Sequence, residues 1–227
     1  MTHTPNIVFI LADDLGWSDL ACYGADLHET PNLDCLARES MRFSNAYAAA
    51  PVCSPTRASV LTGKCPARLH MTIWSEAAES LALGKPLCPP RTRANLPLSE
   101  VTLADVLRGD TFCAHVGKWH LGDASHYPEA QGFDLNIGGT HWGCPVSYFY
   151  PYKGIFNSEE FRYIPDLESG CEESGAYLTD RLTDEALRLM EQVHKRPFFL
   201  NLCYYTVHTP IQGKPEHVAH FQRRLRP

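Results

Sequence analysis

Residues 50–64 read APVCSPTRASVLTGK and frame everything around them. An extended apolar run leads into Cys53. Pro55 falls where a first helical turn tolerates it, because the amide that proline lacks has no partner there. Gly63 then acts as a helix stop, since glycine accepts the left-handed turn that closes a helix. The segment predicts a short helix with a thiol at its start and Arg57 one turn in. A helix N-terminus exposes N–H groups at the positive end of its dipole, so it favours an anion.

Outward from this helix, strand and helix signals alternate. NIVFILA (6–12) is continuously apolar and predicts a first strand covered on both faces. It ends in Asp13 and Asp14. TFCAHVGKWHLG (111–122) predicts a strand to residue 116 that breaks at Gly117. RPFFLNLCYY (196–205) predicts a third apolar strand running into TVHTP. Between them, ETPNLDCLARESM (29–41) predicts a helix with Thr30 as N-cap, Pro31 at the first position, and Leu33, Leu36 and Ala37 on one face. VTLADVLRG (101–109) predicts a short helix ending at Gly109. YLTDRLTDEALRLMEQVH (177–194) is the clearest helix, with Leu182, Ala186, Leu189, Met190 and Val193 on one face. FSNAYAAAPV (43–52) reads as a strand or an extended segment. Residues 123–170, rich in glycine, proline and aromatics, predict loops and short pieces. The alternation predicts an α/β fold with a mostly parallel central sheet flanked by helices.

Composition narrows the class. The 227 residues, 44% hydrophobic and 20% charged, suffice for one large domain core. A net charge of -6 gives no electrostatic footprint for nucleic acid. The one basic cluster, FQRRLRP (221–227), reads as a solvated chain end. Nine cysteines are an odd number for a complete disulfide framework. The nearest in sequence, Cys53 and Cys65, form no C-x-x-C, which leaves a thiol redox protein without its motif. Most of the nine, Cys113 and Cys203 among them, read as small buried hydrophobes in a reducing compartment. The first residues have no cationic stretch, and the apolar run is too short for a signal peptide. No stretch is long enough to cross a bilayer. The expectation is a cytoplasmic protein, with export open if the true start lies upstream.

In parallel α/β sheets, ligands sit beyond the carboxyl ends of the strands. The polar residues collect at those ends: Asp13 and Asp14 after the first strand, Lys118 and His120 after the second, and His208 after the last. Taken alone, the paired carboxylates read equally as a helix cap or a solvated turn. Buried, they need a neutralising cation, and oxygen donors favour calcium or magnesium over zinc. A metal, a helix end, Arg57, Lys118 and histidine together would hold a tetrahedral oxyanion.

CSPTRASVLTG resembles the sulfatase signature C-x-P-[ST]-R with its downstream T-G element. NIVFILADDLGWSDLACYG, TPNLDCLARES, VGKWHLG, YLTDRLTDEA and FFLNLCYYTVHTP also resemble, in order, blocks of the type I sulfatases of the alkaline phosphatase superfamily. The resemblance runs nearly end to end. It implies the sulfatase-like fold and one calcium ion with Asp13, Asp14 and Cys53 at the metal. It also implies that Cys53 is oxidised to formylglycine by a formylglycine-generating enzyme that reads Pro55 and Arg57. By the same resemblance, Arg57 stabilises the formylglycine, Lys118 and His208 hold the sulfate, and His120 orients the formylglycine diol. One diol hydroxyl attacks sulfur, the alcohol leaves with a proton from His208, and the second hydroxyl then expels sulfate. Thr56 replaces the commoner serine.

The implied substrate is a sulfated small molecule or sulfated carbohydrate, with no nucleic acid and no membrane as partner. GGTHWGCPVSYFYPYKG (138–154) reads equally as a sugar-binding wall or as packing. Sulfatases of this type are about twice as long. Their pattern continues with an Asp-Asn or Asp-His metal pair and a second lysine, so residues 1–227 read as the N-terminal part of an incomplete catalytic domain. Two alternatives stand beside the sulfatase: a phosphonate or phosphate-ester hydrolase of the same superfamily, and a non-catalytic fragment.

Overall fold

The computed structural model describes residues 4–78, 86–87, 90–168 and 175–225. Its strands are β1 (Ile7–Leu11), β2 (Phe112–Gly117), β3 (Leu135–Ile137), β4 (Lys153–Phe156), β5 (Glu160–Tyr163) and β6 (Phe198–Cys203). Its α-helices are α1 (Pro31–Glu39), α2 (Cys53–Thr62), α3 (Pro66–Leu69), α4 (Leu103–Leu107), α5 (Leu178–Val193) and α6 (Pro215–Arg224). Four strands form one parallel sheet in the order β1-β6-β2-β3, while β4 and β5 pair as a separate antiparallel hairpin.

The central strand is the most apolar. All six residues of β6 are buried, because β1 and β2 flank it and side chains cover both faces. Period-two alternation sorts those side chains. Val116, Leu200 and Leu202 pack with Leu178, Leu182, Ala186 and Leu189 of α5. Cys113 and Phe199 point the other way, into a cluster with Ala58 and Leu61 of α2 and with Leu69, Met71 and Trp119. The two apolar clusters hold the sheet between them. Cys113 and Cys203 are buried as expected, and every described cysteine is free. Cys88 and Cys171 lie outside the described residues.

Several expectations need correction. β1 is not covered on both faces: among the described residues its only neighbour is β6, and Ile10 is 60% exposed. Apolarity records what a strand could bury, and its place in the sheet decides what it does bury. The apolar face of α1 is likewise open, with Leu36 at 59% exposure. Thr30 caps α1 by position only. Its hydroxyl accepts the Ala21 amide at 3.0 Å and donates to Asp34 at 2.9 Å. Residues 43–52 form no strand: turns and bends take up part of the segment, while Val52 keeps an extended backbone. The described part of the basic end is exposed, as expected, but helical rather than a loose tail: residues 215–224 form α6, and Arg224 and His220 both reach Glu29. Of the region expected to hold loops and short pieces, β3 joins the main sheet, and residues 169–170 lie outside the described chain. Among the described residues no helix is long and apolar enough to cross a membrane.

Gly117 makes the sheet edge usable. Its φ is +98°, and a Cβ there would lie 2.0 Å from the Cys203 carbonyl oxygen. Only glycine lets β2 turn so closely past β6, and the turn hands the Lys118 amide to that same carbonyl at 2.7 Å.

Candidate active site

The exits of β1 and β6 are tied together by backbone. The Tyr204 amide donates to the Leu11 carbonyl at 2.9 Å, the Asp13 amide to Thr206 at 2.8 Å, and the Val207 amide back to Asp13 at 2.6 Å. This lacing sets the carboxylates after β1 beside the segment that carries His208.

Asp13 is the hub. It is buried, and its Oδ1 accepts Arg57 Nη2 at 3.0 Å while its Oδ2 accepts Lys118 Nζ. Arg57 spends its other terminal nitrogen on the Lys118 carbonyl at 2.7 Å. Burial alone would raise the Asp13 pKa, but the two cations outweigh it and hold the carboxyl below its ordinary range. Arg57 and Lys118 are both buried as well, so two cations face one carboxylate and leave a surplus positive charge. A charge held away from water is stabilised by an anion.

Asp14 differs from its neighbour. It is 57% exposed, adopts φ 61°, and lies 3.6 Å from His208 Nε2. His208 Nδ1 lies 2.9 Å from the Thr209 carbonyl. Cys53 opens α2, with Val52 in extended conformation as N-cap and Gly63 closing the helix at φ 67°. Asp13, Asp14, Cys53, Thr56 and Arg57 line one open cleft of about 490 Å³. Lys118 and His208 attach to this cleft through Asp13 and Asp14. His120 does not line it: the ring is buried, and its Nε2 is on the Glu76 carboxylate.

The two carboxylates at the cleft suit calcium in donor chemistry but not in number. Calcium takes six to eight oxygens, and the described residues hold no group of three or more His, Cys, Asp or Glu that could bind a metal. These residues amount to part of a shell.

Residues that sequence reasoning passed over bind the site together. Glu76 holds His120. Ser75 accepts no less a share of the work, its amide donating to Ser54 Oγ at 3.0 Å. The Tyr148 hydroxyl meets the backbone carbonyls of Tyr205 and His208 at 2.6 and 2.9 Å, which steadies the His208 loop. His115 and Asn201 pair inside the sheet at 3.0 Å. No periodicity or spacing marks these contacts in the sequence. Tyr148 and Tyr152, in the aromatic stretch left open between sugar wall and packing, are core residues.

Comparison with known proteins identifies a family. The family model described as Sulfatase matches residues 5–225. N-acetylgalactosamine-6-sulfatase of Homo sapiens is 33% identical over 231 residues, covering 96% of this chain and 42% of that protein. Arylsulfatase G of Mus musculus is 34% identical over 247 residues, covering 97% of this chain and 44% of its own. A solved structure of Ps i-CgsB in complex with k-i-k-neocarrahexaose superposes with a TM-score of 0.74 at 33% identity, over 99% of this chain and 50% of that one. The chain therefore spans less than half the length of these curated relatives. A match from residue 5 to residue 225, carried on an alkaline phosphatase-like parallel sheet, places the chain in the sulfatase family.

Proposed function

We propose that this chain carries the nucleophile side of a sulfatase active site and takes part in hydrolysing a sulfate ester. The carrying observation is the buried Arg57–Asp13–Lys118 cluster, with its surplus positive charge, at the cleft that Cys53 opens. Sulfate is a tetrahedral oxyanion, and such a site stabilises charge on its oxygens.

Members of this family typically use formylglycine and calcium. Cys53 matured to formylglycine supplies a hydroxyl nucleophile that no standard side chain offers. Asp13 and Asp14 would hold calcium, which neutralises charge on the sulfate oxygens when bound. Arg57 is committed to Asp13 and to the Lys118 carbonyl, so its part is to fix the α2 start against the β1 exit. With His208 Nδ1–H donating to the Thr209 carbonyl, Nε2 carries a proton for the leaving alcohol only in the imidazolium, the form that Asp14, 3.6 Å from Nε2, favours. A sulfated carbohydrate fits as substrate, given the substrate named for the human relative and the carrageenan-type oligosaccharide in the solved structure.

The test is turnover of an aryl sulfate by the 227-residue chain, coexpressed with a maturation enzyme and supplied with calcium. Weak turnover that vanishes in Cys53→Ala supports the reading. A clear preference for an aryl phosphodiester would move the assignment to the neighbouring hydrolases.

A further inference from the structure

Glu76 lies in a short turn, Ser75–Ala77, between α3 and α4, and no motif draws attention to it. Its two carboxylate oxygens have separate partners. Oε2 takes His120 Nε2, and Oε1 takes the Gly143 amide at 3.0 Å. Ser75, one residue earlier, donates its amide to Ser54 Oγ at 3.0 Å and its hydroxyl to the Ala94 carbonyl at 2.8 Å. Ser54 directly follows Cys53. The Ser75-Glu76 pair thus joins four segments: the helix that begins at Cys53, the segment at Ala94, the loop that carries His120, and the loop at Gly143.

The state of His120 follows from its partners. An ionised carboxylate only accepts hydrogen bonds, so the nitrogen facing it carries the proton. Burial pushes the His120 imidazole down to about 4; the Lys118 and Arg57 charges act in the same direction, and Glu76 opposes them without winning. Glu76 in turn would be raised by burial, but its bond to His120 holds it at about 2. The pair is therefore a carboxylate and a neutral ring protonated at Nε2. His120 Nδ1 is then an unprotonated acceptor, and it is buried without a partner. An unsatisfied buried acceptor needs a reason, and a group waiting for a proton is one. Because the His120 amide is also fixed on the Thr140 carbonyl at 2.9 Å, both the backbone and the ring are held.

We propose that Glu76 is a positioning residue of this active site: it locks His120 in the Nε2–H tautomer and so keeps the Nδ1 lone pair available to the reacting group. The inference rests on the sulfatase reading for its purpose, but not for its geometry.

The experiment has two arms. Nitrogen-15 NMR of the histidine rings in the 227-residue chain reads the tautomer without any need for activity. Wild type is expected to show His120 as Nε2–H, and Glu76→Ala a mixture of tautomers. A folded Glu76→Ala protein that keeps the pure Nε2–H form overturns the proposal. Should that variant fail to fold, Glu76→Gln decides. A glutamine has one acceptor oxygen for two donors, so either the His120 tautomer changes or the Gly143 amide exchanges faster, and neither changing overturns the proposal. In the second arm, kcat for an aryl sulfate is expected to fall at least about tenfold with KM nearly unchanged. An unchanged kcat alongside a changed tautomer also overturns it. Wild-type protein with no sulfatase turnover defeats the functional reading instead, and the tautomer arm still decides what Glu76 does.

Discussion

Asp13 Oδ1 lies 3.0 Å from Arg57 Nη2, and this contact binds the exit of β1 to the helix that begins at Cys53. The partners are separated by 44 residues in sequence and are both buried. The other oxygen of Asp13 holds Lys118, so the carboxylate neutralises two cations that would otherwise repel each other out of water.

Removing Asp13 should therefore destabilise the fold as well as the site. Breaking a buried ion pair from one side costs about 3–5 kcal/mol, because the stranded charge remains. Asp13→Ala is expected to lose stability of that order in urea unfolding, and Asp13→Asn somewhat less, since the amide oxygen still accepts one bond. A loss below about 1 kcal/mol would mean the cluster is not buried in solution.

Asp14 separates metal binding from folding. It is 57% exposed, so Asp14→Asn should leave stability within about 0.5 kcal/mol. The same change removes one of the two carboxylates that line the cleft among the described residues, and calcium affinity measured by calorimetry should fall at least about tenfold. Equal calcium affinity in wild type and variant would place the metal elsewhere.

Cys53 should become formylglycine when the chain is made together with a maturation enzyme. The residue is partly exposed at a helix start, and its thiol is free. Peptide mass spectrometry of the fragment containing Arg57 reads the conversion directly. An intact thiol beside an active maturation enzyme would rule the assignment out.

Acid should weaken the fold in two windows. His115 is fully buried, and burial pushes it down to about 3; His120 goes to about 4 for the same first reason. As pH falls below about 6.5 the unfolded chain binds protons that the folded chain refuses, so stability present above that pH is lost on acidification. The carboxylates Asp13 and Glu76 are shifted down as well, and their contribution disappears only at lower pH, beneath the ordinary carboxylate range. His115→Gln isolates the upper window. Its stability deficit against wild type should narrow by about 2 kcal/mol between pH 7 and pH 5. A deficit that does not change with pH would show that His115 is not held neutral.

Local features were legible because short-range sterics and apolar periodicity act within a few residues. Cys53, Pro55 and Gly63 bound α2 as the pattern requires, and the apolar side chains of α5 face the core. β2 and β6 announced themselves as apolar runs. The segment 43–52 pairs with no strand among the described residues, and the exposed basic end closes a helix whose Arg224 reaches Glu29. Neither fact is local.

The sequence by itself determined the α/β alternation, the thiol at a helix start, and the polar residues at the strand ends. Tertiary structure alone decided that β1 lies at the sheet edge among the described residues, that Asp13 shares itself between Arg57 and Lys118, and that Glu76 holds His120. Helices and strands arise from contacts among near neighbours, whose chemistry can be read in order. The site arises from pairs such as Asp13 and Lys118, 105 residues apart, and Asp14 and His208, farther still, which meet only when the strand order brings their segments to one edge.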